Sequence, residues 1–178
     1  MGLQCHSYIK LKIIREAIVS DCMKLFPLDT EVSQIRGIIE IIKDYKGSIE
    51  IAKLAEETND EIDDLFPLID TCVLLKLCIV KEGTVRLTKS GIGLATHNSR
   101  VVFANALEKV EPFKSAGSKI KRSKGISTQD LARTLYKKGI LFNSDEITNT
   151  ELLKNLLLKW GVRNKLFSYD YNSDIWSK

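Results

Sequence analysis

The chain is poor in the residues that usually carry chemistry. Its only histidines are His6 and His97, and no cysteine or second histidine sits at metal-ligand spacing from either. A nucleophilic triad needs a histidine as base; Ser99 follows His97 closely, but nothing in the sequence places the two in a cleft. Cys5, Cys22, Cys72 and Cys78 are scattered without a Cys-x-x-Cys pair, which fits free thiols in a reducing cytoplasm rather than a disulfide framework. Cys72 and Cys78 read as small core hydrophobes. No apolar run approaches the roughly 20 residues of a membrane span, so no membrane insertion is expected. Met1 to His6 lacks the basic start and apolar core of a signal peptide. A phosphate loop, G-x-x-x-x-G-K-[ST], is also absent; the nearest glycine pair, Gly91-x-Gly93, has no lysine-serine or lysine-threonine after it. The expectation is a protein that is not an enzyme, with no catalytic, cofactor-binding or metal residues.

What is present is a globular composition: 178 residues, 44% hydrophobic and 28% charged. The net charge of +4 hides a division. Residues 31–95 carry 12 acidic against 8 basic side chains, and residues 96–178 carry 8 against 15. Such asymmetry points to two modules with different surfaces.

Three prolines and a few glycines divide the chain. Tyr8, Leu11, Ile14, Ala17, Ile18, Cys22 and Leu25 share one helical face, so an amphipathic helix is expected over Ser7 to Leu25, ended by Phe26-Pro27. It either packs on its own domain or pairs two subunits as a homodimer through Tyr8 to Leu25. A second helix, Glu31 to Tyr45, has Thr30 as its N-cap candidate, a stripe of Ile35, Ile38, Ile39, Ile42 and Tyr45, and Lys46-Gly47 as its stop. Then come an extended Ser48-Ile49, a helix Glu50 to Glu57, a turn Thr58 to Asp60, and a helix Glu61 to Leu77. That helix should bury Ile62, Leu65, Phe66, Ile69, Val73 and Leu77, with a kink or a non-helical first turn at Pro67. Cys78 to Lys81 and Thr84 to Leu87 read as strands joined by a Glu82-Gly83 hairpin turn. Helix, turn, helix and hairpin in that order is the winged-helix pattern.

Thr88 caps a helix over Lys89 to His97, and another follows over Ser99 to Val110, stopped by Glu111-Pro112. The stretch Lys114 to Gly125 is the most basic in the chain, and is either a short cationic helix or a linker. The order then repeats in degenerate form. A helix starts at Ser127-Thr128-Gln129-Asp130 and buries Leu131, Leu135 and Tyr136; another, capped by Thr148 or Thr150, buries Leu152, Leu153, Leu156, Leu157 and Trp160. A strand over Leu166 to Tyr171, a turn at Asn172-Ser173 and a return strand over Asp174 to Trp176 complete it. The fold class expected is mainly α with small β-hairpins (α+β): tandem winged-helix modules preceded by an amphipathic N-terminal helix. The divisions are 1–29 for that helix, 30–98 for an acidic first module, and 99–178 for a long helix, the basic stretch and a second module.

Several runs resemble a known family, the C-terminal AAA-associated domain. They are Ile51-Ala52-x-Leu54-Ala55, Asp63-Asp64-Leu65-x-Pro67-Leu68-x-Asp70, Glu82-Gly83-x-Val85-x-Leu87-Thr88-x-x-Gly91, Trp160-Gly161 and Leu166-Phe167-x-Tyr169-Asp170. Val162-Arg163-Asn164-Lys165 departs from the family's Arg-Tyr-Ala-Glu-like run. The domain typically follows the ATPase of nitrate-, sulfonate- or bicarbonate-type ABC importers and also stands alone in archaea. The resemblance implies a regulatory or interaction module whose partner is an ABC-type ATPase or similar protein on another chain.

Two surfaces are candidates for binding. Asp60, Glu61, Asp63 and Asp64, with Phe66 and Pro67, would form a mixed anionic and apolar docking patch suited to a basic protein partner. DNA is the alternative ligand, through Lys119, Lys121, Arg122 and Lys124 together with Lys154, Lys159, Arg163 and Lys165 of the second module. Four carboxylates at the start of the first module's reading helix would repel phosphates there.

Overall fold

The computed structural model describes residues 26–96 and 99–178. The expected amphipathic helix over Tyr8 to Leu25, and both histidines, lie outside the described residues. The rest is mainly α-helical with two small antiparallel sheets.

Helix α1 (Val32–Asp44) forms because Ile35, Ile38, Ile39 and Ile42 recur at three- and four-residue spacing, and all four are buried. Its cap is Glu31, not Thr30: the Glu31 N–H donates to Gln34 Oε1 at 2.8 Å. Thr30 is buried instead, and its hydroxyl donates to the Pro27 carbonyl. Lys46 and Gly47 both take positive φ (57° and 85°), which turns the chain into strand β1 (Ser48–Glu50). Next come α2 (Ile51–Thr58), a left-handed Asn59, and α3 (Ile62–Leu74). Strands β2 (Cys78–Lys81) and β3 (Thr84–Leu87) then fold back through Glu82 and Gly83, both at positive φ, as a tight hairpin of this hand requires. Strand β3 lies between β1 and β2, with Ile49 opposite Val85 and Val80 opposite the same residue. The α4 helix (Lys89–Thr96) is capped by Thr88, whose Oγ1 accepts from the Gly91 N–H.

Helices α5 (Ser99–Leu107) and α6 (Phe113–Ser123) lead into the second half. The basic stretch is therefore a helix, held by buried Phe113, Ala116 and Ile120 on one side. The order then recurs: Lys124 and Gly125 at positive φ, strand β4 (Ile126–Ser127), α7 (Thr128–Tyr136), a left-handed Gly139, and α8 (Glu146–Leu156). A six-residue π-helical turn, Leu157–Val162, prolongs α8 before β5 (Ser168–Asp170) and β6 (Ile175–Ser177). The second sheet has the order β4-β6-β5, matching β1-β3-β2. Even the exits from the third helices correspond. Lys76 and Lys165 are both left-handed, and the next N–H groups, of Leu77 and Leu166, each reach back to a carbonyl (Cys72, Gly161) at 2.8 Å.

Some expectations change. Ile62, Phe66 and Val73 are exposed rather than buried, because α3 turns Leu65, Leu68, Ile69 and Cys72 inward. Tyr136 is exposed. Asp145, whose carboxylate accepts from the Thr148 N–H at 2.8 Å, caps α8 in place of Thr148 or Thr150. Pro67 sits inside an α3 that runs on through it.

One hydrophobic core runs through both halves. At its centre Trp160 meets Phe26 and Phe103 edge-on, with ring centroids 4.9 and 5.8 Å away, and Phe26 meets Phe113 at 5.1 Å. The Trp160 Nε1–H donates to the carbonyl of Thr30 at 3.2 Å, across 130 residues of chain. Each of these rings is essentially fully buried, worth about 2–3 kcal/mol of apolar transfer apiece.

Candidate functional site

The start of α3 gathers the acidic candidates. Asp60, Glu61, Asp63 and Asp64 are exposed, and among the described residues none of their carboxylates makes a side-chain hydrogen bond or ion pair. Asp63 and Asp64 occupy the first turn, where negative charge complements the positive end of the helix dipole. Ile62 (43% exposed), Phe66 (47%) and Val73 (36%) follow at spacings of four and seven, which puts them on one side of the helix. Pro67 is exposed beside them. The edge strand β2 carries Ile79 and Val80, both exposed and pointing to opposite faces of the sheet. All six predicted docking residues are exposed at or near the start of α3, and Ile62 and Val73, which the periodicity had assigned to the core, are exposed on the Phe66 side.

The basic candidates are divided. Lys119, Lys121, Arg122 and Lys124 belong to α6 and its exit, with Arg122 folded back onto Ser118 and Lys119 half-buried. Lys154 is held 3.2 Å from Asp174 and lies over the Tyr169 ring, 4.9 Å from its centroid. Lys159 pairs with Glu31 at 3.5 Å. Arg163 and Lys165 are exposed after the π turn. Two of the eight are therefore engaged by carboxylates of the same chain. The third helix of the second half also opens on acids. Asp145 and Glu146 precede Ile147, which is 72% exposed, as Asp60 and Glu61 precede Ile62. That shared Asp-Glu-Ile triplet is a signal in the sequence that pattern-reading by helix face passes over. It sets negative charge at the start of the third helix in either half.

The best-connected polar group is Asp174, held at positive φ in the turn of the second hairpin. Its carboxylate accepts from the Thr128 hydroxyl (2.6 Å), the Thr128 N–H (3.2 Å), the Tyr169 hydroxyl (2.6 Å) and the Lys154 ammonium (3.2 Å). Burial works to raise its pKa, but the hydrogen bonds from Thr128, Tyr169 and Lys154 together outweigh burial and hold it at about 2. Trp176 Nε1–H donates to the same Thr128 hydroxyl at 2.9 Å. This node fastens the hairpin to the start of α7, a structural task.

Elsewhere the chemistry is sparse. Cys72 and Cys78 are buried free thiols; contact with Cys78 and then burial push the Cys72 thiol up, away from reactivity. Among the described residues no group of three or more His, Cys, Asp or Glu side chains could hold a metal ion, and no helix is long and apolar enough to cross a membrane.

What these elements define is an α+β body built from one helix–strand–helix–helix–hairpin unit used twice. The chain belongs to the C-terminal AAA-associated domain family, whose model matches residues 52–170, from α2 of the first unit to β5 of the second. Neither a curated protein nor a solved structure matches the chain. Much of the quoted family pattern does folding work. Leu54, Leu65, Leu68 and Val85 are core residues, and Trp160 is the centre of the shared core. A β-carbon on Gly91 would collide with the Leu77 carbonyl, and one on Gly161 would strike the Phe167 ring.

Proposed function

We propose that this chain is a non-enzymatic regulatory module of the cytoplasm that docks, through the outer face of α3 and the edge strand β2, on an ABC-type transporter ATPase supplied by another chain. One observation carries the reading: an exposed Ile62, Phe66 and Val73 stripe beside four uncompensated carboxylates, on a member of an ATPase-associated family. Large apolar side chains grouped on a surface favour a protein partner, and the flanking acids select a basic one and speed encounter. In this reading both repeated units are winged-helix modules, and the acids at their third helices favour protein over duplex as the ligand.

The test is capture of a transporter ATPase by the purified chain, followed by titration. Phe66→Ala with Ile62→Ser should weaken binding at least tenfold, by loss of apolar anchors. Neutralising Asp60, Glu61, Asp63 and Asp64 to the amides should slow association and remove its salt dependence. The reading fails if no transporter ATPase binds, or if these variants bind as the native chain does. Duplex binding that falls steeply with salt and is lost on Lys→Glu at Lys119, Lys121 and Lys124 with Arg122→Glu would replace it with the DNA-binding regulator.

A further inference from the structure

A second surface, independent of the α3 face, lies between α6 and α7. An open cleft of about 710 Å³ there is lined by Lys119, Arg133 and Lys137, together with Asp130, Ile126 and Ile175. Among the described residues the ammonium groups of Lys119 and Lys137 have no hydrogen bond or ion pair. Arg133 engages Glu146 only through Nε, at 3.2 Å, and more than half of each side chain is exposed. The guanidinium's two terminal nitrogens remain as donors.

Three cations around one open concavity repel each other. An anion relieves that repulsion. The hydroxyls nearby do not change its sign. Ser123 Oγ donates to the Lys119 carbonyl and Thr134 Oγ1 to the Asp130 carbonyl, each at 2.8 Å, so their protons are spent. Asp130 is turned to its own helix cap, where its carboxylate accepts from Ser127 Oγ at 3.0 Å. A ligand therefore meets one planar fork and two mobile point charges. That set matches the oxygens of a phosphate better than a single carboxylate, which the fork alone satisfies.

We propose that this cleft binds a small phosphate-bearing anion. Its size falls within the range of small-molecule pockets. Asp130 and Glu146 flank the cations on α7 and α8, so a compact anion is accepted while an extended polyanion is repelled at the edges. The phosphate can be inorganic or carried by a small organic molecule such as a nucleotide.

The test is calorimetric titration of the full chain, in a phosphate-free buffer at constant ionic strength, with inorganic phosphate, pyrophosphate, AMP and a short DNA duplex. Saturable one-site binding of at least one of the three small probes is expected, and preference among them tells free phosphate from an organic carrier. Lys119→Gln and Lys137→Gln should each weaken it at least fivefold, and the double variant should abolish it with an unchanged melting curve. Lys121→Gln, at an exposed residue outside the cleft, should leave it unchanged. No saturation by any small probe up to about 10 mM overturns the proposal, since that corresponds to less than about 3 kcal/mol of binding. Undiminished binding by a folded double variant also overturns it. So does duplex bound more tightly than every small probe with the same dependence on Lys119 and Lys137, which would make the cleft part of a nucleic-acid face.

Discussion

Gly91 and Gly161 are held by what surrounds them, not by unusual torsions. At Gly91 a β-carbon meets backbone, the carbonyl of Leu77, which also accepts a hydrogen bond from the Thr88 N–H. At Gly161 it meets the ring of Phe167, which is buried but able to turn. Gly91→Ala should therefore cost about 3 kcal/mol and Gly161→Ala about 1–2 kcal/mol, an order that urea melts will test. Asp174 sets a different residue-scale expectation. Its carboxyl is lowered from 3.8 to about 2, so its stabilisation is fully present above pH 4 and is lost as pH falls toward 2. With the side chain 45% exposed, the contribution is about 1 kcal/mol after solvent screening. Asp174→Asn should lower the melting temperature at neutral pH, and the gap to the native chain should close between pH 4 and 2. No sequence pattern announces Asp174, because its partners Thr128 and Lys154 are 46 and 20 residues away. The exposure of Ile62 and Val73 was hidden for another reason. Helix α3 carries Ile62, Leu65, Phe66, Leu68, Ile69, Cys72 and Val73, too many apolar residues for periodicity to single out one face. That surplus is itself the trace of a second apolar surface.

At the scale of elements, α3 contains its own weakness. Pro67 is the sixth residue of the helix, beyond the first turn, so it removes a bond that an N–H there would make to Asp63. Thr71 Oγ1 donates to the Pro67 carbonyl at 2.8 Å, one turn further on. Pro67→Ala should raise stability by about 1–2 kcal/mol, less than the roughly 3 kcal/mol an unadapted interior proline costs, and thermal denaturation will measure it. If the melting temperature falls instead, the ring's own packing outweighs the missing bond. Elements with local signals were legible. The first hairpin occupies the residues expected from Glu82-Gly83, and β1 falls on the extended Ser48-Ile49. The π turn was not legible, since a change of helical pitch has no residue signature here. Helix α6 was obscured because its buried Phe113, Ala116 and Ile120 share the helix with Gly117 and four basic residues. Short strands such as β5 also shrank from the expected Leu166 to Tyr171, because Leu166 and Phe167 turn into the core instead of pairing.

For the whole molecule, the packing is continuous across residue 98, where the first module was expected to end. Phe26 and Thr30 come from the first part, Phe103, Phe113 and Trp160 from the second, and they meet in one cluster. Trp160→Ala should cost about 3–5 kcal/mol. It should also broaden or split unfolding, whereas the native chain is expected to unfold in a single transition seen alike by tryptophan fluorescence and far-ultraviolet circular dichroism. Two separate native transitions would show that the shared core contributes little.

The reach of Trp160 to the Thr30 carbonyl also has a mechanical meaning. Two units joined only by a linker would lengthen like beads on a string when pulled. Here a load applied between residues 26 and 178 is borne by close-packed rings, and packed interiors yield by rupture rather than by stretching.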